Sequence, residues 1–325
     1  MKSLKKVLAL ALVVIMLCAS VSACGNGSEN GGSAKYTIGI VQLVEHPALD
    51  AATEGFKKAI IDELGEDAVK FDYQNGQNDS NTCSTIVNQF VSNNVDLIMA
   101  NATPALQAAA SATAEIPILG TSVTEYGVAL DIDDFDKVVG GNISGTSDLA
   151  ELSQQAAMIT EWFPDAKKVG LIYCSSEANS SYQVKEVKKE LESKGIEATL
   201  YSFSDSNDLS SVCTTAVEKS DVIYLPTDNK VADNTGIIDS ICQTAKVPVI
   251  AGEEGICKGC GVATLSISYY DLGYTTGQMA VKILRDGADI SQMPIEYTKT
   301  TKKYNKTICD LLGIKPLDGY VAIEE

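Results

Sequence analysis

Short apolar runs rich in Val and Ile alternate along the chain with longer segments whose apolar residues recur at helical spacing. In the first half, these patterns predict strands over 36–41, 69–73, 96–100, 116–119 and 138–141, and helices over 46–64, 82–93 and 104–113. In the second half, they predict strands over 168–173, 198–203, 221–225 and 247–251, and helices over 180–194, 208–218 and 230–244. Strands that alternate with helices predict parallel sheets joined by right-handed crossovers.

Three segments of the first half are repeated in the second half at an offset of 131 residues, and a fourth is repeated at an offset of 125. Ile38–Val41 is echoed by Val169–Ile172, and Ile116–Leu119 is echoed by Val247–Ile250. Solenoid repeats are much shorter, about 20–50 residues, so this long repeat predicts two similar α/β lobes. Two lobes on one chain create a cleft, and a cleft is where a small ligand can bind.

The final segments have no counterpart in the first half. A strand is predicted over 261–267 and a helix over 269–285, followed by a less regular tail from Pro294. We expect these segments to cross back between the lobes. The sequence therefore predicts an α/β fold of two doubly wound parallel-sheet lobes joined by a multi-strand hinge. The first lobe is predicted to comprise 36–144 plus about 268–297, and the second 145–267 plus about 298–325 with the tail.

The N-terminus differs from the rest of the chain. A basic start with three lysines precedes the apolar run Val7–Leu17, as in a secretory signal peptide spanning 1–23. The following Val21-Ser22-Ala23-Cys24 resembles a bacterial lipobox, which predicts lipidation of Cys24 and anchoring of an exported protein to the outer face of the cytoplasmic membrane. The Gly-, Asn- and Ser-rich stretch within 24–35 is predicted to be a flexible tether. An ordinary secretory signal that happens to contain a cysteine is the alternative.

Composition excludes one class of partner. The chain has 25 Lys+Arg against 43 Asp+Glu, a net charge of −18, and loss of the three signal lysines would make it more negative. Nucleic-acid binding depends on cationic contacts to phosphates, so no nucleic-acid partner is expected. The same charge suits a soluble monomer that anionic lipid would repel.

Seven cysteines remain when Cys18 of the signal peptide and Cys24 are set aside, and an odd number of cysteines cannot all form pairs. Cys257 and Cys260 form a CxxC motif predicted to lie between two strand-like segments. A structural zinc site would need a second such pair at suitable spacing, and none is present, so no metal site is expected. A disulfide or thiol switch at this motif and the absence of any special role both remain open.

Ligands of open parallel sheets bind beyond the carboxyl ends of the strands, so the residues after each strand are the candidate ligand-binding residues. The first half supplies mostly hydroxyl and amide groups there, whereas the second half supplies carboxylates. The candidates are Gln42, Glu45, His46, Thr103, Thr121, Ser122, Asn142, Ser147, Tyr173, Ser180, Asp228, Asn229 and Glu253.

The difference between the halves favours a zwitterionic ligand. Carboxylates attract an ammonium group, while helix N-termini with free N–H groups attract an anion. The chain has one arginine, Arg285, on a predicted surface helix, so a ligand carboxylate must rely on backbone N–H groups and hydroxyls. The alternative for each single residue is a helix cap or a turn, since Ser, Thr, Asn and Asp are common there.

Catalysis has little support in the sequence. The one histidine, His46, limits any Ser-His-Asp or His-metal arrangement to a single candidate. No GxSxG, HExxH or phosphate-loop pattern occurs. We therefore expect a protein that is not an enzyme and has no cofactor.

Several of these segments resemble one known family. They are similar to segments of the substrate-binding lipoproteins of ABC importers. The similar segments are Ile38–Gln42 followed by Glu45–Asp50, Thr103–Ala105, Gly141–Asp148 and Pro226–Asn229. The resemblance extends over nearly all of the chain from Lys35 and points to the branch with tryptophan- and tyrosine-binding members. It implies a type I periplasmic-binding-protein fold whose lobes close on a small ligand, and an ABC permease in the membrane as partner.

For a tyrosine or tryptophan ligand, the resemblance implies specific roles. Thr103, Ser122 and Asn142 would hold the carboxylate, and Asp228 and Glu253 the ammonium group. His46, Tyr126, Tyr173 or Tyr224 would face the aromatic ring. A sugar or nucleoside receptor on the same fold is one alternative. A surface lipoprotein that contacts host or matrix partners is another.

Overall fold

The first of two sheets is parallel and has six strands. The computed structural model describes residues 34–324 of the chain, and every structural statement refers to that range. The strands of this sheet lie in the order β11-β5-β4-β3-β1-β2, with these bounds: β1 Tyr36–Gln42, β2 Val69–Asn75, β3 Leu97–Asn101, β4 Ile118–Val123, β5 Ile143–Ser147 and β11 Glu296–Tyr297.

Helices cover both faces of this sheet and form the first lobe with it. Apolar side chains of β1 and β3 alternate between the two faces: Ile38 packs with Phe56 and Met279, whereas Ile98 packs with Phe90. The helices are α1 Pro47–Leu64, α2 Ser80–Ser92, α3 Thr103–Ala112, α4 Tyr126–Leu130 and α11 Tyr269–Leu284, with 3₁₀ turns at Glu66–Ala68 and Ile290–Gln292.

The second lobe is built around a seven-stranded sheet. Its order is β13-β12-β10-β9-β8-β6-β7, and the β10–β12 pair is antiparallel. The strands are β6 Lys168–Cys174, β7 Glu197–Phe203, β8 Val222–Leu225, β9 Val249–Ala251, β10 Ala263–Ile267, β12 Thr300–Tyr304 and β13 Val321–Ala322. The helices are α5 Leu152–Trp162, α6 Ala178–Ser193, α7 Ser206–Val217, α8 Asn229–Ala232, α9 Thr235–Ala245, α10 Glu254–Cys260 and α12 Lys306–Leu312.

Three connecting segments join the two sheets. The chain crosses over 148–151 between β5 and α5, at Ser268 between β10 and α11, and over 298–299 between β11 and β12. Helix α11 follows a second-lobe strand but packs on α1, so the chain returns to the first lobe. The predicted fold class, two doubly wound parallel-sheet lobes with a multi-strand hinge, is confirmed. Strand β5 reaches Ser147, three residues past the predicted lobe boundary.

One predicted strand is wrong. Residues 138–141 form a loop, because Gly140 and Gly141 adopt positive φ values of 83° and 59° that an extended strand does not contain. The fifth strand begins only at Ile143. The helix predicted over 230–244 is two helices, α8 and α9, separated at Asp233 and Asn234.

The cysteines of residues 34–324 are all buried and form no disulfide. Cys257 and Cys260 lie between strands β9 and β10, as predicted, on helix α10, and burial raises the pKa of both thiols well above its usual value. The neutral thiol is therefore strongly favoured, which opposes reactivity. The signal peptide, Cys24 and most of the tether fall outside the described residues. Within the described range, no helix has the length and hydrophobicity needed to cross a bilayer.

Candidate functional site: a polar cavity between the lobes

A polar cavity lies between the lobes, where the carboxyl ends of the strands of both sheets face each other. It is small, with about 290 Å³ of empty space including its mouth, so the lobes lie close together in this conformation. The lining residues are His46, Leu49, Ser122, Thr124, Asp148, Asn179, Thr227, Asp228, Asn229, Ala232, Glu253 and Tyr269.

The first lobe contributes residues from two strand ends. His46 directly precedes α1, and Pro47 starts this helix at a position where a missing N–H costs nothing. Ser122, near the end of β4, has a left-handed φ of 54°, a strained conformation for a residue other than glycine. Its Oγ is buried and has no hydrogen-bond partner.

The second lobe contributes two carboxyl groups that cap short helices. Asp228 accepts hydrogen bonds from Cys174 N at 2.7 Å and from Val231 N at 3.0 Å, one on each oxygen. Glu253 accepts from Gly255 N at 2.6 Å and also from Ile256 N. Burial raises the pKa of each carboxyl to about 7. Both groups thus face the cavity while their oxygens are engaged by backbone N–H groups.

A third carboxyl group lies at the hinge. Asp148 directly follows β5 in the first connecting segment, and its Oδ2 accepts a hydrogen bond of 3.0 Å from the Tyr269 hydroxyl. Its Oδ1 is buried without a partner, although the Thr124 side chain lies near enough to lower the pKa of the group. Burial outweighs this effect and raises the Asp148 pKa to about 6. This carboxyl group therefore has one unoccupied oxygen.

A hydrogen bond crosses directly from one lobe to the other. Asn229 donates its Nδ2 to Glu177 Oε2 at 2.7 Å, which turns Asn229 Oδ1 towards His46. The distance from that oxygen to His46 Nε2 is 3.3 Å. Because the amide oxygen can only accept, His46 Nε2 is the donor. Burial lowers the His46 pKa from its usual value, which favours the neutral ring.

Five of the predicted ligand-binding residues line the cavity: His46, Ser122, Asp228, Asn229 and Glu253. Others lie just beneath it. Gln42 bonds to Val44 O and Asp50 Oδ1 and holds the turn between β1 and α1. Thr121 pairs with Thr146, Ser147 donates to Thr124 O, and Ser180 lies within hydrogen-bonding reach of Asp228.

The remaining candidates are not brought to the cavity wall. Glu45 is exposed and accepts a hydrogen bond from the Tyr73 hydroxyl at 3.4 Å. Thr103 is buried at the start of α3, and Tyr173 packs against the second-lobe core. Asn142 lies at the amino end of β5, where it donates to Thr113 O and Ile116 O. The misplaced fifth strand explains this error, because Asn142 precedes the true strand instead of following it.

Two of the predicted ring-facing tyrosines belong to the cores of the lobes. The Tyr126 hydroxyl donates to Thr146 O, and the Tyr224 hydroxyl donates to Gln155 Oε1. Both side chains are almost fully buried. Of the four predicted ring contacts, only His46 lines the cavity, and Tyr269 adds a ring that was not predicted.

Other lining residues were missed from the sequence. Three of them lie in segments that follow strands, each next to a predicted candidate: Asp148 next to Ser147, Asn179 next to Ser180, and Thr227 next to Asp228. Tyr269 also lies just after a strand, β10, but that strand has no counterpart in the first half, so the internal repeat offered no position to compare with it. Among residues 34–324, no group of three or more His, Cys, Asp or Glu side chains has an arrangement that would hold a metal ion.

Comparisons with known proteins agree on one family. The family model described as ABC transporter substrate binding protein matches residues 37–319. A protein named tyrosine-binding protein from Clostridioides difficile is 36% identical over 97% of this chain and 92% of its own length.

Two solved structures are also similar. An ABC domain in complex with L-Trp from Streptococcus pneumoniae is 32% identical, covers 89% of this chain and 100% of its own, and has a TM-score of 0.84. A ligand-free, open substrate-binding protein with adhesive properties from Clostridium difficile is 38% identical, covers 89% of this chain and 99% of its own, and has a TM-score of 0.69. The better superposition on the complex agrees with lobes that lie in contact across the cavity. The chain belongs to the ABC transporter substrate-binding protein family and has the type I periplasmic-binding-protein fold.

Proposed function

We propose that this protein captures an aromatic amino acid, tyrosine or tryptophan, outside the cytoplasm and presents it to an ABC permease. The observation that carries the proposal is the composition of the interlobe cavity. It contains the carboxyl groups of Asp148, Asp228 and Glu253, and no Lys or Arg from the described residues lines it. Such a cavity favours a ligand with a cationic group. The names of the tyrosine-binding relative and of the L-Trp complex support the ligand class.

The rings at the cavity suit an aromatic side chain. His46 and Tyr269 lie in its wall together with the apolar Leu49 and Ala232. Stacking on such rings contributes about 0.5–1.5 kcal/mol beyond burial of apolar area. The ligand carboxylate has the Ser122 hydroxyl, which has no protein partner, and backbone N–H groups as its partners. No catalytic step is proposed, since members of this family bind substrates for transport.

Capture requires the lobes to open and close. The lobes lie close together around the cavity and the hydrogen bond between His46 and Asn229 bridges them, so the connecting segments must open before a ligand can enter. Closure is a population shift whose extent depends on how much more tightly the closed form binds the ligand. The hydrogen bond between His46 and Asn229 contributes to the closed form.

A binding screen tests the function. Thermal melting of the purified protein would be measured with the twenty amino acids, a sugar panel and nucleosides, followed by calorimetry of any that stabilise it. Ligand at 100 times its Kd adds about 2.7 kcal/mol of stability. We expect tyrosine or tryptophan to give the largest rise in melting temperature. A rise only with sugars or nucleosides would replace this proposal by the corresponding receptor function.

Lipid anchoring is part of the same proposal. Support comes from the basic start, the apolar run and the lipobox-like residues before Cys24, all outside the described residues. The family is extracytoplasmic, which agrees with an exported protein. Cells grown with labelled palmitate should label the wild-type protein, and Cys24→Ser should abolish the label and release the protein from the membrane fraction. Labelled Cys24→Ser protein would contradict the assignment of this residue.

A second role at the cell surface has one observation in its favour. The open relative at 38% identity is described as having adhesive properties. An anchored, exposed body can serve both as receptor and as adhesin. Adhesion of cells that lack the protein, compared with cells restored with wild type or with Asp148→Asn, tests this role separately from ligand binding.

A further inference from the structure

Three buried polar atoms in the cavity lack hydrogen-bond partners: Asp148 Oδ1, Ser122 Oγ and Asn179 Oδ1. The three residues are 5%, 6% and 4% exposed, so solvent does not replace the missing partners. Buried polar atoms are almost always satisfied, and exceptions need an explanation. These three atoms line the same small space, one from each lobe and one from the hinge. They are the partners that a polar ligand would complete.

The hydrogen-bonding character of these atoms restricts the ligand group. Asn179 donates its Nδ2 to Glu177 Oε2 at 3.1 Å and to Thr227 O at 3.0 Å, so its Oδ1 is available only as an acceptor. Asp148 Oδ1 is also an acceptor when ionised, and a serine hydroxyl can donate or accept. The two acceptors match a group with several N–H donors, such as a primary ammonium, while the Ser122 hydroxyl remains available to the ligand carboxylate.

The other two carboxyl groups are less suitable for this role. Each oxygen of Asp228 and of Glu253 already accepts a backbone N–H hydrogen bond within its own lobe. A ligand N–H at Asp228 or Glu253 would have to share an oxygen with a backbone N–H group that already fixes the direction of that oxygen. Asp148 Oδ1 has no such bond, so both of its lone pairs are available to the ligand.

We propose that Asp148 is the residue that binds the ammonium group of the ligand, with Tyr269 as its positioning residue; this rests on the proposed function as an amino acid receptor. The Tyr269 hydroxyl holds Oδ2 and leaves Oδ1 facing the cavity. A buried carboxylate without a counter-charge is unfavourable, and the ligand cation supplies the missing charge.

The position of this pair links recognition to the hinge. Asp148 lies in the first connecting segment, and Tyr269 begins α11 directly after the second. Their hydrogen bond therefore joins two of the three segments between the lobes. An ammonium group bound there contacts the connecting segments that change on closure, and not only one lobe. Its binding therefore favours the closed form directly.

The test compares Asp148→Asn with wild type by calorimetry, using the tighter of L-tyrosine and L-tryptophan and its deaminated counterpart, 3-(4-hydroxyphenyl)propanoate or indole-3-propanoate. We expect Asp148→Asn to lose ten-fold or more in affinity for the amino acid and less than three-fold for the deaminated ligand. If the deaminated ligand binds too weakly to measure, Asp148→Asn must still lower the affinity for the amino acid at least ten-fold. Glu253→Gln must lower that affinity by less. Tyr269→Phe should lose affinity selectively for the amino acid, by less than Asp148→Asn.

Controls separate this inference from the proposed function. The melting temperature of ligand-free Asp148→Asn should equal or exceed that of wild type, because the substitution removes an unpaired buried charge. If wild type binds an aromatic amino acid but Asp228→Asn or Glu253→Gln shows the selective loss instead, only the assignment of Asp148 falls. If wild type binds no aromatic amino acid, the proposed function falls and this inference with it.

Discussion

Two carboxyl groups of the cavity also hold their own lobe together. Asp228 and Glu253 lie at helix N-caps, and their oxygens satisfy backbone N–H groups that would otherwise be buried without partners. The residue types that cap helices are the same types that bind polar ligands. The sequence therefore indicated that these residues lie near the ligand, but not which of their oxygens remain available.

Asp228→Ala is predicted to reduce both stability and binding. It leaves Cys174 N and Val231 N without their acceptor, so we expect a loss of about 1–3 kcal/mol in the free energy of unfolding. We also expect amino acid affinity to fall, because Asp228 lines the cavity, but by less than in Asp148→Asn. Denaturant unfolding and calorimetry measure the two effects. Asp205→Ala is the matched control, because Asp205 caps α7 on the surface and lies outside the cavity; equal affinity in the two variants would contradict a role for Asp228 in binding.

The buried thiols should be inert in the native protein. Burial raises the pKa of most of the seven described cysteines, and each is enclosed in a core. In a Cys18→Ser, Cys24→Ser variant, we expect a chromogenic disulfide reagent to react with fewer than one thiol before unfolding and with seven in guanidinium. Rapid native reaction of Cys257 or Cys260 would instead favour a thiol switch at this motif.

At the scale of elements, the contact between α1 and α11 depends on glycine. A Cβ at Gly273 would lie 1.8 Å from Ala52 O, and a Cβ at Gly55 would lie 2.1 Å from Tyr270 O. The two helices approach so closely that the chain returning from the second lobe is held tightly against the first. This contact involves a helix that has no counterpart in the internal repeat, so the sequence did not predict its partner.

Gly273→Ala is predicted to destabilise the protein by several kcal/mol or prevent folding, since backbone atoms must move apart to accept the methyl group. Gly236→Ala is its control. That glycine also lies in a helix, but a Cβ there meets no atom within 4 Å, so we expect a gain of about 0.4–1 kcal/mol from the lower entropy of the unfolded chain. Denaturant unfolding decides, and similar effects of the two substitutions would contradict the close helix contact.

At the scale of the whole molecule, the pattern of the sequence predicted the architecture better than the site. Alternation of strands and helices is a property of long segments, so isolated errors such as the loop at 138–141 left the two-lobe fold intact. The site depends on single positions, and that one error moved Asn142 to the wrong end of its strand. Tyr269 reaches the cavity because a connecting segment brings it there, and the internal repeat offers no position to compare with it.

The cavity should also make stability depend on pH in an unusual direction. Burial raises the pKa of Asp148 to about 6 and that of Asp228 and Glu253 to about 7. Between about pH 4 and 7, the folded protein then binds more protons at these groups than the unfolded chain, so its stability falls as pH rises. His46 opposes this, because burial lowers its pKa and stability from this group is lost as pH falls below about 6.5.

With three carboxyl groups against one imidazole, we expect the melting temperature of the ligand-free protein to rise when the pH is lowered from 7.5 to 5. Asp148→Asn should flatten part of this profile, since it removes one of the titrating groups. A bound ammonium group stabilises the ionised form of Asp148, so the rise in melting temperature caused by the amino acid should shrink below pH 6, where that carboxyl takes up a proton. A ligand effect that is constant from pH 5 to 7.5 would mean that ammonium binding does not depend on this titrating carboxyl group.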